Sequence, residues 1–120
     1  MIDLAGAIDL HVHTAPDVYE RSVDDLSLAR QAEKAGMKAL LLKSHHTLTA
    51  DRGTLAARQV NIPVFGGVAL NQTVGGLNPV AAETAVEFGA RQIWMPTIHA
   101  QHCMDTAKMA MFQAEVDRGR

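Results

Sequence analysis

The sequence predicts an α/β fold in which four βα units follow one another and form a parallel sheet, equivalent to half of a TIM-like (β/α) barrel. Short apolar segments at 8–12, 39–42, 63–70 and 92–95 alternate with segments of helical character, as in sheets with right-handed crossovers. The segment 39–42 is apolar throughout, which is typical of a strand covered on both faces. The 120 residues are too few for a complete eight-stranded barrel, which takes roughly 200 residues or more.

The first unit carries the signals of a strand, a loop and a capped helix. Pro16 lies in the loop that follows the first strand. Ser22, with Asp25 three residues later, is close to a capping box, and apolar residues follow at helical spacing. Gly36 offers the left-handed conformation in which many helices end. We therefore expect the first helix to begin after Ser22 and to end at Gly36.

The later units carry similar signals. A second helix is expected over 51–59. Asn78 followed by Pro79 is a helix cap with proline in the first helical position, and it predicts a third helix as far as residue 88. A fourth helix is expected over 106–116. The four units could form an open sheet, a fragment of a barrel or a half-barrel that pairs with another chain, and the sequence does not separate these arrangements.

Composition and charge restrict the class of protein. The length fits a single domain over 1–120. A net charge of -2 gives no reason to expect a nucleic-acid or membrane partner, and no apolar run approaches the roughly 20 residues that cross a bilayer. Cys103 is the one cysteine, so no internal disulfide can form. Without the pattern of a secretory signal, these features favour a cytoplasmic protein.

Two histidines stand two residues apart at the end of the first predicted strand. Residues i and i+2 of a strand point to the same face, so His11 and His13 would project side by side while Val12 turns into the packing. Two neutral imidazoles on one face suit a divalent metal such as zinc, manganese or iron. The alternative is a chance pair of surface histidines on an edge strand.

The remaining histidines also follow predicted strands. His45 and His46 come after the second strand, and His99 and His102 come after the fourth. The carboxyl ends of parallel strands lie on one face of the fold, where active sites are built. We expect one of His45 and His46, together with His99, to join the metal ligands, whereas His102 is expected in a solvated loop or at the start of a helix.

Other polar residues lie at the same strand ends. Asp17 is either a carboxylate ligand or a turn residue. Lys43 is expected to hold an anionic substrate group or stabilise a developing negative charge, unless it is paired with a carboxylate. Asp9 could orient a ligating imidazole or be a buried structural residue. Asn71 and Gln72 could offer polar contacts to a substrate.

The first part of the sequence resembles a known class of enzymes. The segment 8–14 reads Ile-Asp-Leu-His-Val-His-Thr; a helix that ends Ala-Gly-Met-Lys-Ala-Leu at 35–40 and a histidine-bearing turn follow. Residues 1–50 thereby resemble the metal-dependent hydrolases of the PHP type (polymerase and histidinol phosphatase) and of the wider amidohydrolase superfamily. The resemblance implies a (β/α) barrel with divalent metal at its C-terminal face, where activated water attacks an amide, ester or phosphoester.

The resemblance also implies a set of ligands. The matching positions are His11 and His13 for the paired ligands, Asp17 for the first-loop ligand, His45 or His46 for the second-strand histidine and His99 for a later one. Both families take further ligands from a C-terminal half, so the resemblance is to the N-terminal half of such a barrel.

Our leading hypothesis is a metal-dependent hydrolase that acts on a small-molecule substrate, with zinc as the first choice of metal and manganese or iron as alternatives. His11, His13 and His99 would hold the metal, with His45 or His46, while Lys43 would contact substrate. The rival hypothesis is a non-catalytic or truncated α/β metal-binding domain that assembles into a homo-oligomer through its open sheet edge.

Overall fold

A computed structural model describes residues 2–106 of the chain. Strands and helices alternate from the first strand onward, as the sequence predicts. In chain order they are β1 (Ile8–Val12), α1 (Asp25–Lys34), β2 (Ala39–Leu42), α2 (Ala50–Ala57), β3 (Val64–Ala69), a 3-10 turn (Gln72–Val74), α3 (Pro79–Glu87), β4 (Gln92–Trp94) and α4 (Gln101–Thr106).

The four strands form one curled, all-parallel sheet in the order β1-β2-β3-β4. The curl brings the two outer strands towards each other, since the rings of His11 on β1 and Trp94 on β4 have centroids only 6.4 Å apart. The predicted α/β class and the half-barrel of four βα units are confirmed.

Small residues allow the helices to lie close to the sheet. Leu40 and Leu42 on β2 are buried against Ala29 and Ala32 of α1 and Ala56 of α2. A second cluster joins β3 to α3. Burial of these apolar side chains is the main force that holds the helical layer on the outer face of the sheet.

Glycines in β3 permit two close contacts. A Cβ on Gly66 would lie 2.0 Å from the carbonyl oxygen of Thr49 at the start of α2, and a Cβ on Gly67 would lie 2.7 Å from the ring of Trp94. These strand positions therefore accept no side chain without a shift of their neighbours. Gly67 leaves room for the indole of Trp94 on the inner face of the curl.

Two of the predicted helix-end residues, Asn78 and Gly36, have the predicted roles, whereas the predicted cap of α1 does not. Asn78 accepts a hydrogen bond from the Val80 N–H at the start of α3, and Gly36 has a φ of 73° after α1, as predicted. The cap of α1 is Asp24, which accepts from the Ser27 N–H at 2.6 Å, so the prediction of Ser22 was wrong. Ser22 lies too far ahead of the first helical turn.

The remaining boundaries differ from the predicted ones by a few residues. The second helix was expected over 51–59. It begins one residue earlier, at Ala50, and ends two residues earlier, at Ala57. The fourth helix begins at Gln101, earlier than expected, and the predicted part over 107–116 lies outside the described residues. No helix within 2–106 is long and apolar enough to cross a membrane.

Candidate functional site

His11 and His13 face each other at the C-terminal end of β1. Their Nε2 atoms are 3.1 Å apart, and their ring centroids are 5.1 Å apart. The prediction that the two side chains project to one face is met. With metal–nitrogen bonds of about 2.0–2.1 Å, one ion can be bound by both nitrogens at this separation.

The backbone of β1 is irregular where it carries the first of these histidines. Asp9 pairs with Leu40 and Val12 pairs with Leu42, so the pairing advances three residues along β1 and two along β2. Such a bulge changes the direction of a side chain and is common beside functional sites. Asp9 accepts a hydrogen bond from the His11 backbone N–H at 2.9 Å, so its described contact is to the backbone and not to an imidazole.

The turn after β2 brings a third imidazole to the pair. The buried hydroxyl of Ser44 accepts hydrogen bonds from the N–H groups of His46 and Thr47 and fixes the turn. The ring of His45 stacks on that of His13 with centroids 4.7 Å apart. Nδ1 of His45 forms a hydrogen bond of 2.8 Å with the Thr97 hydroxyl, which leaves Nε2 as the ring nitrogen available to a ligand.

Asn71 connects the ends of three strands. Its amide nitrogen donates to the His45 carbonyl and to the Thr97 hydroxyl, both at 2.8 Å. Its amide oxygen accepts from the N–H groups of Thr97 and His99. Asn71 is fully buried, so it positions the histidine turn and is closed to the substrate contact that the sequence suggested. Gln72 beside it is exposed.

His46 lies on the other side of the turn, against Asp17. Its Nδ1 is 3.6 Å from Oδ1 of Asp17, and the ring packs on Tyr19 with centroids 5.4 Å apart. The rings of His45 and His46 are edge-on, with centroids 6.4 Å apart. Since adjacent residues point in different directions, His45 joins the histidine pair and His46 does not.

Both oxygens of Asp17 are already engaged. Arg21 contacts Oδ2 at 2.6–2.7 Å, and the Val18 N–H donates to Oδ1 at 2.7 Å. Burial alone would raise the pKa of this carboxyl, but the Arg21 and Val18 hydrogen bonds and the Arg21 charge outweigh it and lower the pKa. Asp17 is therefore a carboxylate held by arginine, and it lies beside His46.

His99 uses one of its ring nitrogens to accept a backbone hydrogen bond. The Gln72 backbone N–H donates to its Nδ1 at 3.1 Å, so in the neutral ring the proton is on Nε2. In this arrangement His99 offers an N–H donor and no free lone pair. His102 lies in the first turn of α4 and is exposed.

Lys43 ends β2 on the inner face of the curl. It is only 5% exposed, and its Nζ lies 4.9 Å from the centroid of the Trp94 ring. No carboxylate in residues 2–106 is within ion-pair distance of Nζ, so the alternative of an ion pair finds no partner there. Burial lowers the pKa of this ammonium.

Two histidines of the site, His13 and His45, have lowered pKa values that favour the neutral form. Burial lowers the pKa of His45 to about 4, with help from the charges of His13 and Lys43. Burial, followed by the Arg21 charge, also lowers the pKa of His13. Neutral imidazole is the form that binds a metal, so the environment favours ligation at neutral pH.

The residues fit a metal in part. The Nε2 atoms of His11 and His13 lie close enough to share an ion, whereas the buried ring nitrogens without a hydrogen-bond partner within 2–106 are Nδ1 of His13 and Nδ1 of His46, which are not part of that pair. The described residues nevertheless contain no group of three His, Cys, Asp or Glu side chains arranged to hold a metal ion. His11 and His13 thus supply two ligands, and His45 stacks beside them without aiming a nitrogen at the same point.

A partly buried ion-pair network supports the loop after β1. Arg52 of α2 donates to both carboxylate oxygens of Asp25 at 2.8 and 2.9 Å. The buried Thr14 hydroxyl donates to the same carboxylate. An open cavity of about 420 Å³ lies between this loop and the turn after β2, and Asp17, His46 and Arg52 are among its lining residues. The groove leads to the Asp17–His46 side of the site.

A family model covers nearly all of the chain. The model of a family of unknown function, DUF6282, matches residues 6–119. The chain belongs to the DUF6282 family. No curated protein and no solved structure matches the sequence.

Sequence reasoning missed two residues that organise this DUF6282 site. Thr97 orients His45, and a threonine directly after Pro96 gives no signal in the sequence. Trp94 lies beside both His11 and Lys43. Because side chains alternate along a strand, the two-residue period places Trp94 on the same face as Gln92 and could have assigned it to the inner face.

Proposed function

We propose that this protein is a metal-dependent hydrolase in which a divalent cation, zinc in the first place, is bound by His11 and His13. The observation that carries the proposal is the 3.1 Å separation of their Nε2 atoms, in a site where burial keeps His13 neutral. The resemblance of residues 1–50 to PHP-type and amidohydrolase enzymes points to the same chemistry.

His45 is the third residue that we assign to the centre. Its Nδ1 is held by Thr97, so Nε2 is the ring nitrogen left for a ligand. Metal-bound histidines commonly fix their second nitrogen in this way. His99 and Asp17 support the site through backbone and arginine contacts and are not assigned as ligands.

A cation at this place would lower the pKa of water towards neutrality and polarise the oxygen of a carbonyl or phosphoryl group. The bulge in β1 and the turn after β2 would orient the imidazoles around it. Small-molecule amides, esters and phosphoesters are the substrates that this chemistry attacks.

Metal titration of single variants tests the proposal. His11→Ala and His13→Ala are expected to weaken zinc binding by at least about tenfold, since loss of even an outer-sphere partner costs 10–100-fold. His99→Ala is the matched control and is expected to bind zinc within a few-fold of the parent, because its Nδ1 accepts from Gln72. Equilibrium dialysis with elemental analysis gives the affinities. Equal zinc binding by His11→Ala and the parent would refute the site.

A second candidate function is favoured by exposed apolar residues at the edges of the sheet. Ile8 and Leu10 on β1 are 52% and 65% exposed, and Met95 after β4 is 65% exposed. A metal-binding domain without catalysis that assembles through these edges would cover them. A metal-loaded dimer that lacks hydrolytic activity on ester, amide and phosphoester substrates would favour this function over the first.

A further inference from the structure

Lys43 is a buried cation with no counter-charge in the described part of the chain. Its exposed fraction is 5%, and its Nζ lies over the ring face of Trp94, 4.9 Å from the ring centroid. A buried charge is costly unless it is paired. A lysine kept in this position therefore calls for an anion that binds to it.

We call the region around Nζ that is bordered by Trp94 and His11 the slot. Trp94 forms one wall, and its indole lies over Gly67, where any Cβ would come within 2.7 Å of the ring. The His11 ring lies 6.4 Å from the same indole. The ammonium and the His11 ring thus both lie beside the indole of Trp94.

The charges that face this slot are positive or neutralised. Lys43 and Arg21 both act on His13 and His45 as positive charges. The nearby carboxylate of Asp17 is held by Arg21. The local field therefore attracts an anion and offers it no competing carboxylate close to Nζ.

We propose that Lys43 and Trp94 form an anion subsite. A carboxylate or phosphate group of the substrate binds Nζ of Lys43, and the part of the substrate next to that group packs against the indole of Trp94. The assignment of this anion as part of a substrate rests on the proposed hydrolase function. The subsite itself depends only on Lys43 and Trp94. It would hold the bond to be cleaved close to the imidazoles of His11 and His13.

Trp94 is the single tryptophan of the chain, so its fluorescence reports directly on the slot. Metal-free protein is titrated with inorganic phosphate and with acetate at constant ionic strength. We expect a saturable change in emission, and the anion that binds more tightly identifies the preferred group. Lys43→Met should weaken binding by at least about tenfold, the loss of one charge-assisted hydrogen bond. Lys38→Met changes an exposed lysine and should leave binding unaltered.

The variant is expected to fold, because replacing an unpaired buried charge by an apolar side chain removes an unfavourable burial. A melting temperature at or above that of the parent confirms this. Absence of a saturable change with either anion, or an equal affinity in Lys43→Met, overturns the subsite.

Zinc binding measured on the same samples separates the two proposals. Loss of anion binding with intact zinc binding in Lys43→Met supports the subsite and leaves the hydrolase function standing. Anion binding that depends on Lys43 in a protein that binds no zinc would refute the hydrolase function and keep the subsite.

Discussion

At the scale of single residues, His45 has the most altered environment of the site. Its ring lies between His13 and the Thr97 hydroxyl, and burial lowers its pKa to about 4 from the ordinary 6.5. The ring is then neutral in the folded protein at pH 5–7, whereas in the unfolded chain it takes up a proton over the same range. The protonation state of the His45 ring therefore affects both the free energy of unfolding and the ability of the ring to bind a metal.

The first consequence is a dependence of stability on pH. Because the folded pKa lies below the unfolded one, the unfolded chain binds more protons between pH 6.5 and 4, so the free energy of unfolding falls as pH falls through this window. Urea denaturation of metal-free protein at pH 7.5, 5.5 and 4.5 measures the slope. His45→Asn should flatten it.

Some slope should persist in His45→Asn, because burial also lowers the pKa of His13 and of His99. Their contributions have the same sign. An unchanged slope in His45→Asn would contradict the assignment of the shift to His45. The effect above pH 7 should be negligible, since neither state of the chain protonates this ring there.

The sequence predicted the histidine pair well because a two-residue period is a local property. It left the roles of Asp17, His46 and Asn71 open, because these roles depend on partners far along the chain or on side-chain direction in loops. Asn71, for instance, bonds to residues 26 and 28 positions away. Such contacts follow from the tertiary fold and have no signature in local sequence.

At the scale of elements, the ends of three strands are tied together by one side chain. Asn71 follows β3 and bonds to His45 after β2 and to Thr97 and His99 after β4. Each amide atom makes two hydrogen bonds. The relative position of the three loops is therefore fixed by a buried amide.

Removal of this amide should loosen the loops and destabilise the protein. Asn71→Ala would leave the His45 carbonyl and the Thr97 N–H buried without their partners, at a cost of about 3 kcal/mol. Chemical denaturation measures the loss, and weaker zinc binding should accompany it. Gln72→Ala, at an exposed position, is the control and should stay within about 0.5 kcal/mol of the parent. A similar small effect for both variants would contradict the role of Asn71.

Helix ends show why elements were predicted more accurately than loops. Asn78-Pro79 and Gly36 act through their own backbone preferences, so the sequence suffices to locate them. At α1 three candidate caps, Ser22, Asp24 and Asp25, stand close together. The cap is decided by where α1 lies on the sheet, which the local pattern does not contain.

At the scale of the whole molecule, the curled sheet has two outer strands with exposed apolar residues. Leu10 on β1 is 65% exposed, and β1 pairs with β2 alone among the described strands. The second candidate function requires a second copy of the chain to cover this edge. In that case Leu10→Lys should lower the molar mass measured in solution from that of a dimer to that of a monomer. Thr54→Lys on α2, also exposed, is the control.

Light scattering coupled to size exclusion measures the mass. A parent protein that is monomeric at all concentrations would remove the second candidate function and leave the hydrolase proposal untouched. A dimer that persists in Leu10→Lys would place the contact elsewhere on the surface.

The irregular pairing of β1 limits how this segment can change during evolution. Between Asp9 and Val12 the strand contains one residue more than β2 opposite it. Deleting that residue would restore regular pairing, and because Val12 already lies opposite Leu42, the residues after it, His13 included, would keep their partners and their face. Substitutions at Leu10 leave the number of residues intact. A deletion in the bulge therefore changes the number and direction of residues 10 and 11 alone, so it would test the site through His11 and leave His13 in place.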